Sequence, residues 1–234
     1  MFRNFILAII LNVSVLFPQQ RHMTGADLCS QKRMKQDGTF MQELSANTPQ
    51  HSFDVLNYTL SLDIYKNFLS PFPASYSATN TITFKVDSTL NAIQLNAVNT
   101  SLTIDSVALA GTSFSHTGDI LTIMLDSTFQ PNDTASVKIY YRHNEVVDDA
   151  FYTSNGMVFT DCEPEGARKW FPCWDHPSDK ATLDLTAKVP ATVKLGSNGR
   201  LADSTIIADT IYYHWISRDP IATYLMVMTG KVEY

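Results

Sequence analysis

The residues between 160 and 181 carry the side chains of this chain that are best suited to chemistry. Asp161 and Glu163 lie two positions apart, so in an extended segment both carboxylates point to the same face. Two carboxylates on one face attract a cation, either an ammonium group or a metal ion. A pair of solvated acids at a sheet edge is the alternative that the spacing leaves open.

The same segment is expected to be a structured loop. Its side chains include Trp170, Phe171 and Trp174, which are costly to leave in water. Arg168 and Asp175 are expected to pair and to brace this loop.

Two of the three cysteines lie in the loop as well. Cys162 and Cys173 could form a disulfide, but spacing alone does not establish one. No Cys-x-x-Cys pair is present, which argues against a zinc ribbon.

The elements that must hold this loop are predicted to be β-strands. From about residue 52 apolar and polar residues alternate, which puts one face of each strand on a core. The alternation is clear in Tyr58–Ile64, Ile82–Val86, Ile93–Ala97, Leu121–Leu125, Val137–Tyr141 and Leu183–Val189. The continuous apolar run Tyr224–Met228 is predicted to be a strand buried on both faces.

Turn signals separate the runs and decide the fold class. Pro, Asn, Asp and Gly cluster at 71–73, 117–119, 131–133, 155–156 and 198–199. Many short strands at this spacing predict an all-β, antiparallel sandwich or open barrel, with residues 52–234 as one large domain.

The first 50 residues have a different character. Arg3 followed by a short apolar run up to Phe17 predicts a signal peptide over about residues 1–20 and an exported protein. The run is shorter than a membrane span needs; a retained anchor or a buried N-terminal strand is the alternative. Residues 21–51 form a polar leader, in which a short helix is expected. The formal net charge of −6 and the lack of a basic run argue against nucleic-acid binding.

The loop resembles the signature of the aminopeptidase N family. That family has Thr-Gln-x-Glu-Pro-x-x-Ala-Arg, then Phe-Pro-Cys-Phe-Asp-Glu-Pro and Lys-Ala-Thr. The matching residues here are Thr160, Glu163–Pro164, Ala167–Arg168, Phe171–Cys173, Asp175, Pro177 and Lys180–Thr182. Similar stretches at Ile93–Ala97, Ser197–Gly199 and Thr223–Leu225 extend the likeness over residues 52–234.

The resemblance implies a fold and a role for this chain. It implies a saddle-like β domain that packs against a zinc-dependent catalytic domain and lends its loop to the active site. Glu163 matches the family's acidic residue that binds the α-amino group of peptides with a free N-terminus. Asp161 stands where the family usually has Gln, and is expected to add negative charge near that amine.

The resemblance also implies that the catalytic equipment lies outside this chain. The family binds zinc with His-Glu-x-x-His, and none of the six histidines here is followed by Glu. We therefore expect no catalytic residue and no metal ligand in this chain, which is expected to be a fragment of a longer zinc enzyme. The face that meets the catalytic domain is expected to be partly apolar.

Two other functions remain open at this point. The chain could be a stand-alone exported β-sandwich that binds peptides or other partners without catalysis. It could also be an adhesion or carbohydrate-binding module, if Trp170 and Trp174 are exposed and stack on sugars.

Overall fold

The computed structural model describes residues 51–233, which form fourteen β-strands and three short 3-10 helices. All of them belong to one compact unit. The expected signal peptide at 1–20 and the expected helix before residue 51 lie outside the described residues. Within 51–233, no helix is long and apolar enough to cross a membrane.

Fourteen strands follow one another along the described residues. They are β1 (Phe53–Asp63), β2 (Tyr76–Val86), β3 (Leu90–Asn96), β4 (Leu102–Leu109), β5 (Gly111–Thr117), β6 (Ile120–Phe129), β7 (Thr134–His143), β8 (Phe151–Ser154), β9 (Met157–Thr160), β10 (Lys180–Pro190), β11 (Val193–Ser197), β12 (Arg200–Ile207), β13 (Thr210–Ala222) and β14 (Met228–Val232). The 3-10 helices are Lys66–Phe68, Ala167–Lys169 and Thr223–Leu225.

The strands form three sheets. The largest has seven strands in the order β12-β13-β10-β1-β2-β7-β4. A four-stranded sheet has the order β11-β14-β9-β8 and a three-stranded sheet the order β3-β6-β5. The predicted all-β class is confirmed, and the described strands form a sandwich-like arrangement rather than a closed barrel.

One pairing departs from the antiparallel prediction. β1 and β10 run parallel, with Leu60 opposite Leu185. Parallel neighbours need a long connection, and here the whole of β2 to β9 lies between them. Alternation within one strand says nothing about the direction of its neighbour.

The core follows the predicted alternation. On β1, Leu60 and Leu62 are buried while Ser61 and Asp63 are exposed. The same pattern holds on β10, where Leu183, Leu185, Ala187 and Val189 are buried. Each fully buried Leu, Ile or Phe side chain contributes about 1.5–3 kcal/mol to stability.

Two of the predicted turns show why their residue types are required. Asn155 and Gly156 have φ of 47° and 73°, and they join β8 to β9 as the favoured two-residue hairpin turn does. At Gly199 φ is 78°, and an added Cβ would lie 2.1 Å from the carbonyl oxygen of Ile216. Any other residue there would force the backbone apart.

The predicted strand Tyr224–Met228 is wrong. Thr223–Leu225 is a 3-10 helix, and Leu225 and Val227 are exposed while Met226 and Met228 are buried. Asn198 takes the place of a neighbouring strand, since its amide donates to the Leu225 carbonyl (2.9 Å) and accepts from the Val227 N–H (2.7 Å). Because the Asn198 side chain satisfies these two backbone groups, residues 225–227 need no neighbouring strand, and strand pairing resumes only at β14.

Candidate functional site

The segment that carries the predicted site residues runs from the end of β9 to the start of β10. Backbone bonds fix its interior to the end of β3, because Asn96 and Cys173 exchange N–H···O bonds of 2.8 and 3.1 Å. The Arg168 carbonyl accepts a further bond from the Val98 N–H. The segment is therefore a loop that is tied down along its length.

The predicted pairing of Arg168 with Asp175 is confirmed. The Arg168 Nε lies 3.0 Å from Asp175 Oδ2, and Nη2 donates to the Asp175 carbonyl at 2.9 Å. The Asp175 side chain is 1% exposed and that of Arg168 is 21% exposed. Such a desolvated, multiply hydrogen-bonded pair holds its geometry far better than a surface pair.

Asp175 has two further partners that the sequence did not reveal. Thr223 Oγ1 donates to its Oδ1 at 2.6 Å, and its own N–H donates to Asn96 Oδ1 at 3.0 Å. Both partners are distant in sequence, although each lies in a stretch that resembles the family. These donors satisfy the hydrogen-bonding capacity of the buried carboxylate.

The two tryptophans of the loop are buried. Trp170 is fully inaccessible and Trp174 is 3% exposed. The Trp170 Nε1–H donates to Cys162 Sγ at 3.0 Å, and the backbone N–H of Trp174 donates to the hydroxyl of Tyr58 at 3.1 Å. The expectation that Trp170 and Trp174 stack on sugars is therefore wrong, because both rings serve the core.

The spacing of Cys162 and Cys173 did not decide whether the two form a disulfide. Cys162 and Cys173 are both buried, and neither forms a disulfide. Burial raises the pKa of the Cys173 thiol, and the neighbouring Asp175 carboxylate raises it further. Cys173 is thus a protonated packing residue, and no disulfide between the two cysteines braces the loop.

A tight turn sets the position of the acidic residues. The Cys162 carbonyl accepts the Gly166 N–H at 2.7 Å, and a Cβ on Gly166 would lie 2.9 Å from Cys162 Cα. Only glycine allows this approach. Glu163, Pro164 and Glu165 form the outward part of the turn.

The acids of the turn differ in their surroundings. Arg168 Nη2 donates to Glu165 at 2.8 Å. Burial raises the pKa of the Glu165 carboxyl, and the positive charge of Arg168 partly offsets this rise. Asp161 is half-buried and has a contact of its own. Glu163 is exposed, and among residues 51–233 its carboxylate has no hydrogen bond or ion pair.

Asp161 and Glu163 flank the buried Cys162, but Glu163 lies in a turn and not in an extended segment, so a shared face of the two carboxylates stays a prediction. Of Asp161, Glu163 and Glu165, only Glu163 is exposed, and its carboxylate can bind a cation from outside. Within the described part of the chain, no group of three or more His, Cys, Asp or Glu side chains could hold a metal ion.

Known proteins resemble this chain over much of its length. The family model described as the Peptidase M1 N-terminal domain matches residues 55–225. Aminopeptidase M1-C of Oryza sativa subsp. japonica is 34% identical over 82 residues, which are 35% of this chain and 9% of that protein. Glutamyl aminopeptidase of Homo sapiens is 36% identical over 80 residues, which are 32% of this chain and 8% of that protein.

The fold has a counterpart among solved structures. The M1 zinc metallopeptidase of Deinococcus radiodurans superimposes with a TM-score of 0.70 and 22% identity, over 79% of this chain and 43% of that one. The chain thus spans less than half the length of that enzyme and about a tenth of most of the curated relatives that it matches. Because the family model matches most of the chain, the protein belongs to the family of the Peptidase M1 N-terminal domain.

Proposed function

We propose that this chain is the N-terminal domain of an exported zinc aminopeptidase and that Glu163 binds the free α-amino group of the peptide substrate. The observation that carries the proposal is an exposed, unpartnered carboxylate on a loop that is braced by the buried Arg168–Asp175 pair. Its relatives, which share the family, bear the names of aminopeptidases.

The chemistry of a carboxylate suits this role. A carboxylate next to an ammonium group forms a charge-assisted hydrogen bond, about twice as strong as a neutral one. An N-acylated peptide has no such charge and would leave Glu163 desolvated and unpaired, which favours peptides with a free N-terminus. Asp161, two residues before Glu163, adds negative charge near the amine.

Zinc would have to be held elsewhere. The described residues offer no ligand set for it, so no catalytic step is assigned to side chains of this chain. In the proposed enzyme the metal belongs to the catalytic domain, against which this domain packs. The part of this chain is to bind and orient the peptide amine.

The first test concerns Glu163 in the whole enzyme. The gene is read past the codon for Tyr234, and the protein that it encodes is expressed with and without Glu163→Gln. We expect kcat/KM on a leucyl anilide to fall roughly 10- to 100-fold, since a charged hydrogen bond contributes about 1.5–3 kcal/mol.

Glu145→Gln is the matched control, because it removes the same charge from another exposed position. Its kcat/KM should stay near that of the parent. Equal kinetics for Glu163→Gln and the parent would refute the amine-binding role. A gene that ends after Tyr234 would refute the enzyme itself.

Export is tested separately. The protein is produced in its own host, and the N-terminus of the extracytoplasmic fraction is sequenced. A start between about residues 18 and 30 supports a cleaved signal, because the apolar run ends near Phe17. A chain that stays in the cytoplasm with Met1 in place contradicts export.

A further inference from the structure

A groove crosses the outer face of the seven-stranded sheet, away from the loop with Glu163. Its volume is about 340 Å³. It is lined from five neighbouring strands, β13, β10, β1, β2 and β7, and from Asp105 on β4. No residue of the 161–179 segment lines it.

Strand register arranges the side chains of this sheet face in two rows. In the first row Ser61 lies between Thr186 and Thr79, and Tyr140 follows Thr79. The second row runs across the same strands in the order Tyr212, Lys188, Asp63, Ser77, Arg142. The centre of the face therefore has short hydroxyl side chains, which leave a hollow between longer ones.

A tyrosine stands at each end of this hollow. Tyr140 on β7 is 38% exposed, and the Lys138 ammonium lies 5.1 Å from its ring centroid. Tyr212 on β13 is partly buried at the opposite end. The two strands are four spacings apart, or roughly 19 Å at about 4.8 Å per spacing. This length fits an oligomer rather than one small molecule.

The charges of the groove cancel in pairs. Lys188 Nζ lies 2.8 Å from Asp63 Oδ2. Arg142 Nε donates to both carboxylate oxygens of Asp105, and Arg142 Nη2 donates to Asp105 Oδ1 at 2.7 Å. Each cation is matched by an acid, so the groove has no excess charge to attract an ionic ligand. The paired groups still offer donors and acceptors along its rim.

A second depression continues the groove on the same face. It has a volume of about 480 Å³ and shares Asp63, Ser77 and Lys188 with the first. Tyr65 and Asn144 are among its other lining residues. The polar surface with tyrosine rings thus extends beyond the first groove.

We propose that this groove binds a neutral oligosaccharide. A sugar chain presents hydroxyl groups for the Ser, Thr, Asp and Lys side chains and C–H faces for the rings of Tyr140 and Tyr212. Aromatic rings with a polar edge suit such amphipathic surfaces. The row of short hydroxyl side chains leaves a hollow for such a chain, and the Lys188–Asp63 pair beside it is neutralised internally. The site is independent of Glu163 and of the proposed peptidase activity.

The test is calorimetric titration of the full chain with cellohexaose, maltohexaose and chitohexaose. We expect at least one of these hexasaccharides to bind. Comparison of the three shows which glycosidic linkage and which sugar unit the groove prefers. Tyr140→Ala and Tyr212→Ala should each weaken binding about two- to tenfold through the lost ring contact. Thr79→Arg, which fills the floor, should abolish binding.

Tyr152→Ala is the matched control, because Tyr152 stacks on Phe159 in the four-stranded sheet, outside the groove. It should bind as the parent does, and thermal melting should show that all variants are folded. No binding of any hexasaccharide at 5 mM (roughly −3 kcal/mol) would overturn the proposal. So would equal binding by Thr79→Arg, or tighter binding of an anionic oligogalacturonate.

Discussion

Two arginine–aspartate pairs in this protein have the same chemistry and different surroundings. Arg168 and Asp175 have side chains 21% and 1% exposed, and Arg142 and Asp105 have side chains 58% and 39% exposed. The buried pair holds the loop of Glu163, while the exposed pair lies on the outer sheet face. Loss of one partner costs much more where the other charge stays buried.

Arg168→Met should therefore destabilise the chain by about 3–5 kcal/mol, because the Asp175 charge stays buried without its main partner. Arg142→Met removes an equivalent contact at the surface and should cost about 0–1 kcal/mol. Urea unfolding, followed by tryptophan fluorescence, measures both.

Similar losses for the two variants would contradict a bracing role of the buried pair. If Arg168→Met loses little stability but lowers the activity of the whole enzyme, the substitution acts on the position of Glu163 and not on the stability of the fold.

At the scale of elements, the connection between β7 and β8 is held by a buried His–Asp pair. His143 Nδ1 lies 3.0 Å from the Ala74 carbonyl, and Nε2 lies 3.0 Å from Asp148 Oδ2. The His143 ring thus bridges the strand that follows Ala74 and the connection that carries Asp148. Tyr76 stacks on the His143 ring at 5.1 Å and donates to the Trp170 carbonyl, which links this pair to the loop of Glu163.

The stability of the chain should depend on pH through Asp148. Burial raises the pKa of Asp148, but hydrogen bonds from His143 and the Phe151 N–H outweigh this and leave it below its usual value. A carboxyl whose pKa is lower in the folded state stabilises the fold above its unfolded pKa, about 3.9. That contribution is lost as the pH falls through the folded pKa.

Melting temperatures between pH 2.5 and 6 test this expectation. Asp148→Asn should melt lower than the parent at pH 6, and its melting temperature should fall less below pH 4. Asp126→Asn, which changes an exposed carboxyl on β6, should follow the parent curve. Parallel curves for Asp148→Asn and the parent would rule out the assigned role.

The elements also show what a sequence can and cannot predict. Alternation identified β1, β2, β7 and β10, because each has one face on the core. It failed at Tyr224–Met228, where Asn198 replaces a neighbouring strand. The pairing of Arg168 with Asp175 was predictable from short spacing, whereas the bonds of Asp175 to Thr223 and Asn96 depend on long-range packing.

At the scale of the whole molecule, exposed large apolar side chains are scattered over the described surface, and several of them lie on β12. The edge strand β12 is almost wholly exposed, and Ile206 and Ile207 near its hairpin are 65% and 61% exposed. Leu225 and Val227 form a smaller exposed pair that follows β13. A strand edge with exposed aliphatic side chains and no lysine or proline is a template for pairing with another chain.

We therefore expect the chain to self-associate as the concentration rises, through the edge of β12. Light scattering during size-exclusion chromatography should show a mass that grows between about 1 and 100 µM, the range of weak interfaces. The double change Ile206→Lys and Ile207→Lys should return the mass to that of a monomer, because charges on an edge strand oppose pairing. Val147→Lys is the control, since Val147 is 91% exposed but lies in the β7–β8 connection, away from any strand edge. A parent chain that stays monomeric up to 100 µM would show that the twist and the bulge at Ala202 already protect this edge.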